Sequence, residues 1–492
     1  MKIETVYLLA FLGYSLVILS VGLWGYRRAS LASFAVAERK MGLVVSTGTF
    51  MATFVSAVTV IGVSGYASRY GWSAAAFSCY GYALGWILLV LAAGRLHRTE
   101  LTTVPEFFYR RYNSTFLRVF AATTIILMYS LVLMVQLLAM GVTLNTLAGL
   151  STSLAIVIVG AVFVSYTMLG GLAAVIRTDL LQVVLLGGGV ILAACIVLAR
   201  TRGSVVFSPP EHLGHFFGGN VRNVGDFAGW ILVWGLGIPT ESYYLHRFYA
   251  SRSASVARLQ VGVGGLLVMV ILISVIICGV GAGMLNPPDH LGNSAFPYLF
   301  KNVVGGWASV VVLFAIMSAV QSSSSGLLHI VGLYFAVDIY KQLGKSGDRD
   351  LLKVSRLSTL AFGTVITLAT VYVANHSSTL ISLIAGVSWG GMASVMFVPL
   401  FCGLFWRRAT RAGALASSVS GLVCAVTGFC LKQAGIISIH EIYPGVIGSL
   451  ILMILGSYLS RPESSSFVEG LFASPRVASH PRGDVLESKT TA

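Results

Sequence analysis

Between Ser46 and Tyr70 the chain reads STGTFMATFVSAVTVIGVSGYASRY, apolar enough for a bilayer yet carrying Gly, Ser and Thr at spacings a plain spanning helix does not need. Ala52, Thr53, Val55, Ser56 and Thr59 fall within little more than two helical turns, with Gly62 and Gly65 beyond. A helix that loosens here turns backbone carbonyls toward a buried polar ligand. In a membrane such irregularity survives only where it faces protein or a water-lined cavity. A second polar run in an apolar setting is Ala319-Val320-Gln321-Ser322-Ser323-Ser324-Ser325-Gly326. The hydroxyls of Ser322 and Ser323 and the carbonyl of Ala319, set against the carbonyls of Ala52 and Val55, make five neutral oxygens. Such a set suits a monovalent hard cation, and without a carboxylate it is a poor match for Ca²⁺ or Mg²⁺. Each stretch also has a plainer reading: small residues let helices pack closely, and serine hydroxyls can bond their own helix.

Two more features carry polarity into apolar segments, where it is expensive. WILVWGLGIPTES (230–242) puts Gly235, Gly237 and Pro239 within five residues, the composition of a kinked or broken helix. It ends on Glu241, an intramembrane acid that could receive an amine, titrate, or pair with His246 or Arg247. Asp179 opens another span after GGLAAVIRTD; it could serve a cation, pair with Arg177 or cap its helix.

The elements that must position these residues follow from composition. Of 492 residues, 56% are hydrophobic and 10% charged, against about 25% charged in soluble domains, so the chain is a polytopic membrane protein. Spans are expected near 5–25, 43–67, 73–95, 117–145, 152–171, 179–199, 225–245, 259–285, 305–339, 356–374, 378–405, 412–432 and 442–460, thirteen in all. The segment 6–25 is long enough to span and reads as a first helix rather than a cleaved leader. With that order, all but seven of the 32 basic residues (Lys2, Arg69, Arg200, Arg202, Arg222, Lys301 and Lys432) fall on one side. That bias predicts an outer N-terminus and a cytoplasmic C-terminus. It also assigns the net charge of +15 to topology and anionic lipid rather than nucleic acid. The interrupted stretches at 46–70 and 230–242 lie five spans apart, the pattern of inverted repeats, placed at about 43–199 and 225–405. The polar tail 461–492 is expected to be disordered and cytoplasmic. No nucleotide-binding, metal-ligand or nucleophile motif is present, so ATP-driven transport and enzymatic catalysis are not expected. The six cysteines lie in apolar segments without metal spacing and are expected to stay unpaired.

Several separated motifs resemble one family in the right order: FAVAERKMG (34–42), RLHRTELTTVPEFFYRRY (95–112), YTMLGGLAAVIRTDLLQ (166–182) and LFWRRATRAGALA (404–416). The chain resembles the sodium/solute symporters over roughly residues 5–460. The resemblance implies an all-α membrane protein of thirteen helices with a LeuT-like core of two inverted five-helix repeats. It implies a Na⁺-coupled symporter in the cell membrane, with a principal Na⁺ site at Ala52, Val55, Ala319, Ser322 and Ser323. Some members hold a second Na⁺ through an acid matching Asp179 and serines one turn further along; here Asp179 and Ser325 are present, but the next position is Gly326.

For the solute, WGLGIPTESYYLHRF (234–248) is similar to the segment of proline transporters and keeps Trp234 and Arg247. Ile238 and Ser242 depart from that pattern, and Phe54 stands where proline carriers have an aspartate. Thr59 replaces the amide of sugar carriers, and Leu131 to Val142 lacks the arginine of sialic acid carriers. MVQLLAMG (134–141) and SRYGW (68–72) resemble the pantothenate and short-carboxylate group. The expected cargo is therefore a small carboxylate such as pantothenate or a monocarboxylate, with proline or another amino acid as the alternative. Expected substrate contacts are Ser56, Thr59, Gln136, Trp234, Ile238 and Glu241. A reading of another class is a membrane-embedded solute sensor acting with a separate partner.

Overall fold

The computed structural model describes residues 3–26, 39–344, 347–376 and 381–463. The expected disordered tail therefore falls almost wholly outside the described residues. Among them there is no β-sheet, only isolated bridges. Helices are the outcome lipid dictates, because each apolar segment must satisfy its own backbone N–H and C=O groups.

The helices are α1 (Ile3–Tyr26), α2 (Leu43–Phe54), α3 (Ser64–Tyr70), α4 (Ser73–Arg98), α5 (Val104–Tyr112), α6 (Thr115–Ala148), α7 (Thr152–Arg200), α8 (Val224–Gly237) and α9 (Ser242–Ala250). They continue as α10 (Ala254–Leu285), α11 (Gly306–Tyr334), α12 (Asp348–His376), α13 (Ile381–Met392), α14 (Val398–Phe405), α15 (Arg411–Gln433) and α16 (Ile442–Tyr458). Short helical turns fill the loops between α7 and α8 and between α10 and α11. Their starts are set by local chemistry: Ser114, Ser151, Ser253 and Thr410 each accept a backbone N–H three residues on, satisfying a donor the helix cannot.

Ten helices among the described residues are long and apolar enough to cross a membrane, eleven if the bent pair Leu43–Phe54 and Val58–Tyr70 is one span. The sequence count of thirteen is not reached by that measure, for a physical reason in each case. The expected span 225–245 is cut by a 3-10 turn at Ile238–Thr240 into pieces of 14 and 9 residues. The last, α16, has 17 residues, short of the roughly 20 a straight span requires.

The expected spans 152–171 and 179–199 form one helical run, α7, of 49 residues. It is sharply bent. Tyr166 Oη lies 3.0 Å from Thr178 Oγ1, whereas twelve residues of straight helix would set their backbones about 18 Å apart. The two arms, Thr152–Leu169 and Thr178–Arg200, each count as a span.

Burial identifies the centre. The span containing α11 is 89% buried, against 22% for the N-terminal span. Around α11 pack α1, α2, α6, α7 and α12. Gly48 lets α2 come close to α7, since a Cβ there would sit 2.5 Å from Leu180 Cδ2. The ends of the two interrupted spans are tied together by Met41 N–H to Ala250 O (3.1 Å) and Arg252 N–H to Met41 O (2.9 Å).

Candidate functional site

The loosened helix is real and its cause is visible. Helix α2 stops at Phe54, Val55 takes φ −82° and ψ 97°, and helical structure resumes as a π-helical turn over Val58–Val63. The bend across the break is 49°. In an unbroken helix the N–H of Ala57 would donate to Thr53 O. Instead it donates to Gln136 Oε1 of α6 at 3.0 Å, while the N–H of Val58 goes to Ser56 Oγ at 3.1 Å. The carbonyls set free find side-chain donors from α11. Ser322 Oγ donates to Ala52 O at 2.6 Å, and Ser323 Oγ donates to Thr53 O at 3.1 Å. Ser322 Oγ also lies 2.8 Å from Ser318 O and 3.3 Å from Ala319 O. Ala52, Val55, Ala319, Ser322 and Ser323 are all buried.

The serine run thus meets the break, as the sequence suggested, and bonds its own helix as well. Thr53, noted in the sequence as part of the loosened stretch, is not among the expected ligands or substrate contacts. Its carbonyl takes Ser323, and its hydroxyl accepts from Arg247 Nη2 at 2.8 Å. Alternate spacing gave Thr53 no distinction, because a threonine inside an apolar helix usually bonds its own turn, as this one also does to Thr49 O at 2.6 Å.

Asp179 is fully buried on α7. Its Oδ2 accepts from the Thr49 hydroxyl and lies 3.3 Å from Arg247 Nη2. Arg247 is therefore the salt-bridge partner the structure gives Asp179, and the Arg177 side chain lies outside the described residues. Ser325 Oγ donates to Ser322 O at 3.1 Å.

A small cavity of about 10 Å³ sits against the break. Phe54, Ser56, Val58 and Thr59 form one wall, and Trp234 and Ile238 of the second interrupted span form another. Tyr82, Tyr244 and Trp389 close it with aromatic rings. Phe54 stacks on Tyr244 at 5.1 Å between centroids, and Trp234 and Trp389 approach to 5.3 Å. The indole N–H groups of both tryptophans are buried and lack a hydrogen-bond partner among the described residues. Gly85 makes room for this contact, since a Cβ there would lie 2.8 Å from Ile238 Cβ.

Four of the six expected substrate contacts, Ser56, Thr59, Trp234 and Ile238, line this cavity. The other two lie elsewhere. Gln136 holds the Ala57 N–H, and Glu241 is buried facing Tyr129, whose hydroxyl accepts from Tyr243 N–H at 3.1 Å. His246 Nε2 meets Tyr334 Oη at 2.8 Å. The cavity residues missed from sequence, Tyr82, Tyr244 and Trp389, are aromatic side chains in apolar helices, where core packing is the default expectation.

A far larger cavity, about 730 Å³, opens between α8, α13 and α15, with Asp226, Lys432, His440 and Glu441 at its polar end. It does not touch the break of α2, the serine run or Asp179. The small cavity is the one lined by both interrupted spans.

Comparison with known proteins agrees with this geometry. The model of the Sodium:solute symporter family matches residues 34–421. The High-affinity proline transporter PutP of Bacillus subtilis is 26% identical over 92% of this chain and 98% of its own length. A Sodium/proline symporter of Staphylococcus aureus is 25% identical over 93% of each chain. Among solved structures, a Na⁺-coupled sialic acid symporter in a substrate-bound outward-open state superposes with a TM-score of 0.76 at 18% identity, covering 93% of this chain and 98% of its own. The architecture is that of a multi-pass secondary transporter with a LeuT-like fold. The chain belongs to the sodium:solute symporter family. Na⁺ is its coupling ion, a small organic solute is its cargo, and it is a transporter rather than an enzyme.

Proposed function

We propose that this symporter imports a small carboxylate-bearing solute, with an amino acid of the proline type as the first candidate. The observation that carries this is the pair of buried, unpartnered indole N–H groups of Trp234 and Trp389 on a cavity walled by aromatic rings. Buried donors are rarely left without an acceptor, and a solute carboxylate would supply one. The cavity as it stands has room for about one water, so a solute must part the rings, which then suit a compact apolar body and offer their faces to an ammonium. The printed descriptions of the relatives, which name proline, support the same choice. Short monocarboxylates and pantothenate form the second reading, favoured by the absence of any acid from the cavity lining. The sensor reading gains no observation in its favour.

The principal Na⁺ site is the five-oxygen set: carbonyls of Ala52, Val55 and Ala319 with hydroxyls of Ser322 and Ser323. Its support is the 2.6 Å approach of Ser322 to Ala52 O across the break. Na⁺ there draws the loosened second span onto α11 and steadies the wall of the solute cavity. Substrate and Na⁺ then favour one another by the same coupling free energy, about 1–3 kcal/mol in typical cases. A membrane voltage of about 100 mV adds roughly 2.3 kcal/mol per charge carried through the full field. The working arrangement has thirteen spans in the cell membrane, inverted repeats at about 43–199 and 225–405, an outer N-terminus and a cytoplasmic tail.

The test is uptake of labelled proline into proteoliposomes under an imposed Na⁺ gradient, with acetate, lactate and pantothenate as competitors. Proline accumulation that collapses without Na⁺ is the expected result. Na⁺-dependent uptake of a monocarboxylate with none of proline selects the second reading. Accumulation driven by protons and indifferent to Na⁺ would refute the Na⁺ site.

A further inference from the structure

We propose that Arg247 is a tethered cation that occupies the place beside Asp179, so that the protein binds a single Na⁺, at the break of α2. This rests on the principal Na⁺ site proposed above.

The argument starts from charge. Asp179 is fully buried, and a carboxylate without a compensating cation is costly there. The guanidinium of Arg247, itself completely buried, stands 3.3 Å from Asp179 Oδ2. Thr49 donates its hydroxyl to the same oxygen, and Thr53 accepts from Arg247 Nη2 at 2.8 Å. The pair is thus neutral and held by two threonines one turn apart on α2. An alkali ion added beside Asp179 would leave a net positive charge in a site sealed from solvent.

Geometry makes the same point independently. The serine run ends at Gly326, and a Cβ built there would lie 3.9 Å from Arg247 Nη2. The side of α11 that a further hydroxyl would occupy therefore faces the guanidinium. Nearby, Ser325 donates to Ser322 O at 3.1 Å, which orients its hydroxyl along its own helix. The guanidinium is fixed to α9, in the second interrupted span, and reaches α2 in the first. A cation supplied by the chain cannot be released to the cytoplasm, so it contributes nothing to the ion count of a transport cycle.

Thr53 links this place to the Na⁺ site, since its carbonyl accepts from Ser323 at 3.1 Å while its hydroxyl accepts from Arg247. Arg247 accordingly positions Thr53, whose carbonyl holds Ser323 of the neighbouring site, besides neutralising Asp179.

The experiment counts ²²Na⁺ bound per molecule on the purified full-length protein, together with the Hill coefficient of Na⁺ binding. One ion and a coefficient near one are expected for the native chain and for Arg247→Lys, which keeps the charge. Arg247→Gln uncovers Asp179, and a second ion with a coefficient above one is expected, removed again in Arg247→Gln/Asp179→Asn. Two ions on the native chain overturn the proposal, as does a folded Arg247→Gln that still binds one. The native count stands as a test even if the Gln variant does not fold. No Na⁺ bound to the native chain, or one ion that survives in Ser322→Ala with unchanged affinity, overturns the principal site and this inference with it.

Discussion

Tyr166 Oη and Thr178 Oγ1 lie 3.0 Å apart although twelve residues of one helical run separate them. The run must fold back on itself there, and the return places Asp179 at the foot of the second arm, beside α2. The bend is thus what delivers an acid to α2 beside Thr49. A double substitution, Tyr166→Cys with Thr178→Cys, should be cross-linked by a bifunctional thiol reagent that spans a tyrosine ring but not a straight helix, read as a mobility shift after cleavage between the two positions. A straight helix, about 18 Å between the same points, gives no cross-link.

Ser322→Ala removes one neutral oxygen from the proposed Na⁺ shell and one hydrogen bond to Ala52 O. At about 1 kcal/mol for such a contact, the Na⁺ concentration for half-maximal uptake should rise roughly five-fold. Maximal uptake at saturating Na⁺ should change less. An unaltered Na⁺ requirement would remove Ser322 from the site.

Asp338 is fully buried and lies 2.6 Å from Arg118 Nε, with Thr103 Oγ1 at 2.9 Å. The cluster joins the end of the central helix to the helix that begins at Thr115. Asp338→Ala leaves the guanidinium without its carboxylate, with the Val337 carbonyl and the Tyr109 ring left beside it, and about 3 kcal/mol of stability should be lost. The double variant Asp338→Leu/Arg118→Met should recover much of it, measured as thermal melting in detergent. A single variant that melts at the native temperature contradicts this account.

His440 lies in the loop before the last helix, 3% exposed, and burial pulls its imidazole down to about 4. The folded form therefore holds it neutral while the unfolded chain binds a proton near 6.5. Between those values the unfolded state carries more protons, so stability falls as pH is lowered from about 6.5 toward 4. The loss at pH 5 should be about 2 kcal/mol. His440→Asn should flatten this part of the melting-temperature profile, and an identical acid slope in both proteins counts against it.

The sequence made the break at Ala52–Thr59 and the serine run legible because polarity inside lipid is expensive and therefore conspicuous. Gly235, Gly237 and Pro239 likewise announced the 3-10 turn at Ile238–Thr240. What stayed hidden depended on which way a side chain turns. Arg247, by span order, counts among the cytoplasmic basic residues, yet its guanidinium runs inward to Asp179. Arg111 reads as part of a basic loop, yet it is buried and donates to the carbonyls of Gly403 and Ala409. Charge counts assign sides of a membrane, and they are silent on long side chains that fold back into protein. Gln136, expected at the solute, instead holds the backbone that the break exposes; sequence can find a buried amide but not its partner 79 positions away.

The Ser322 hydroxyl has three carbonyl oxygens within 3.3 Å, those of Ala52, Ser318 and Ala319. One hydrogen cannot serve three acceptors. Ser318 O and Ala319 O lie inside α11 and already accept its backbone N–H groups, whereas Ala52 O stands at the end of α2 and takes the serine proton across the gap. That proton is a stitch between the two polar stretches, and an ion seated at the proposed place would have to displace it from Ala52 O.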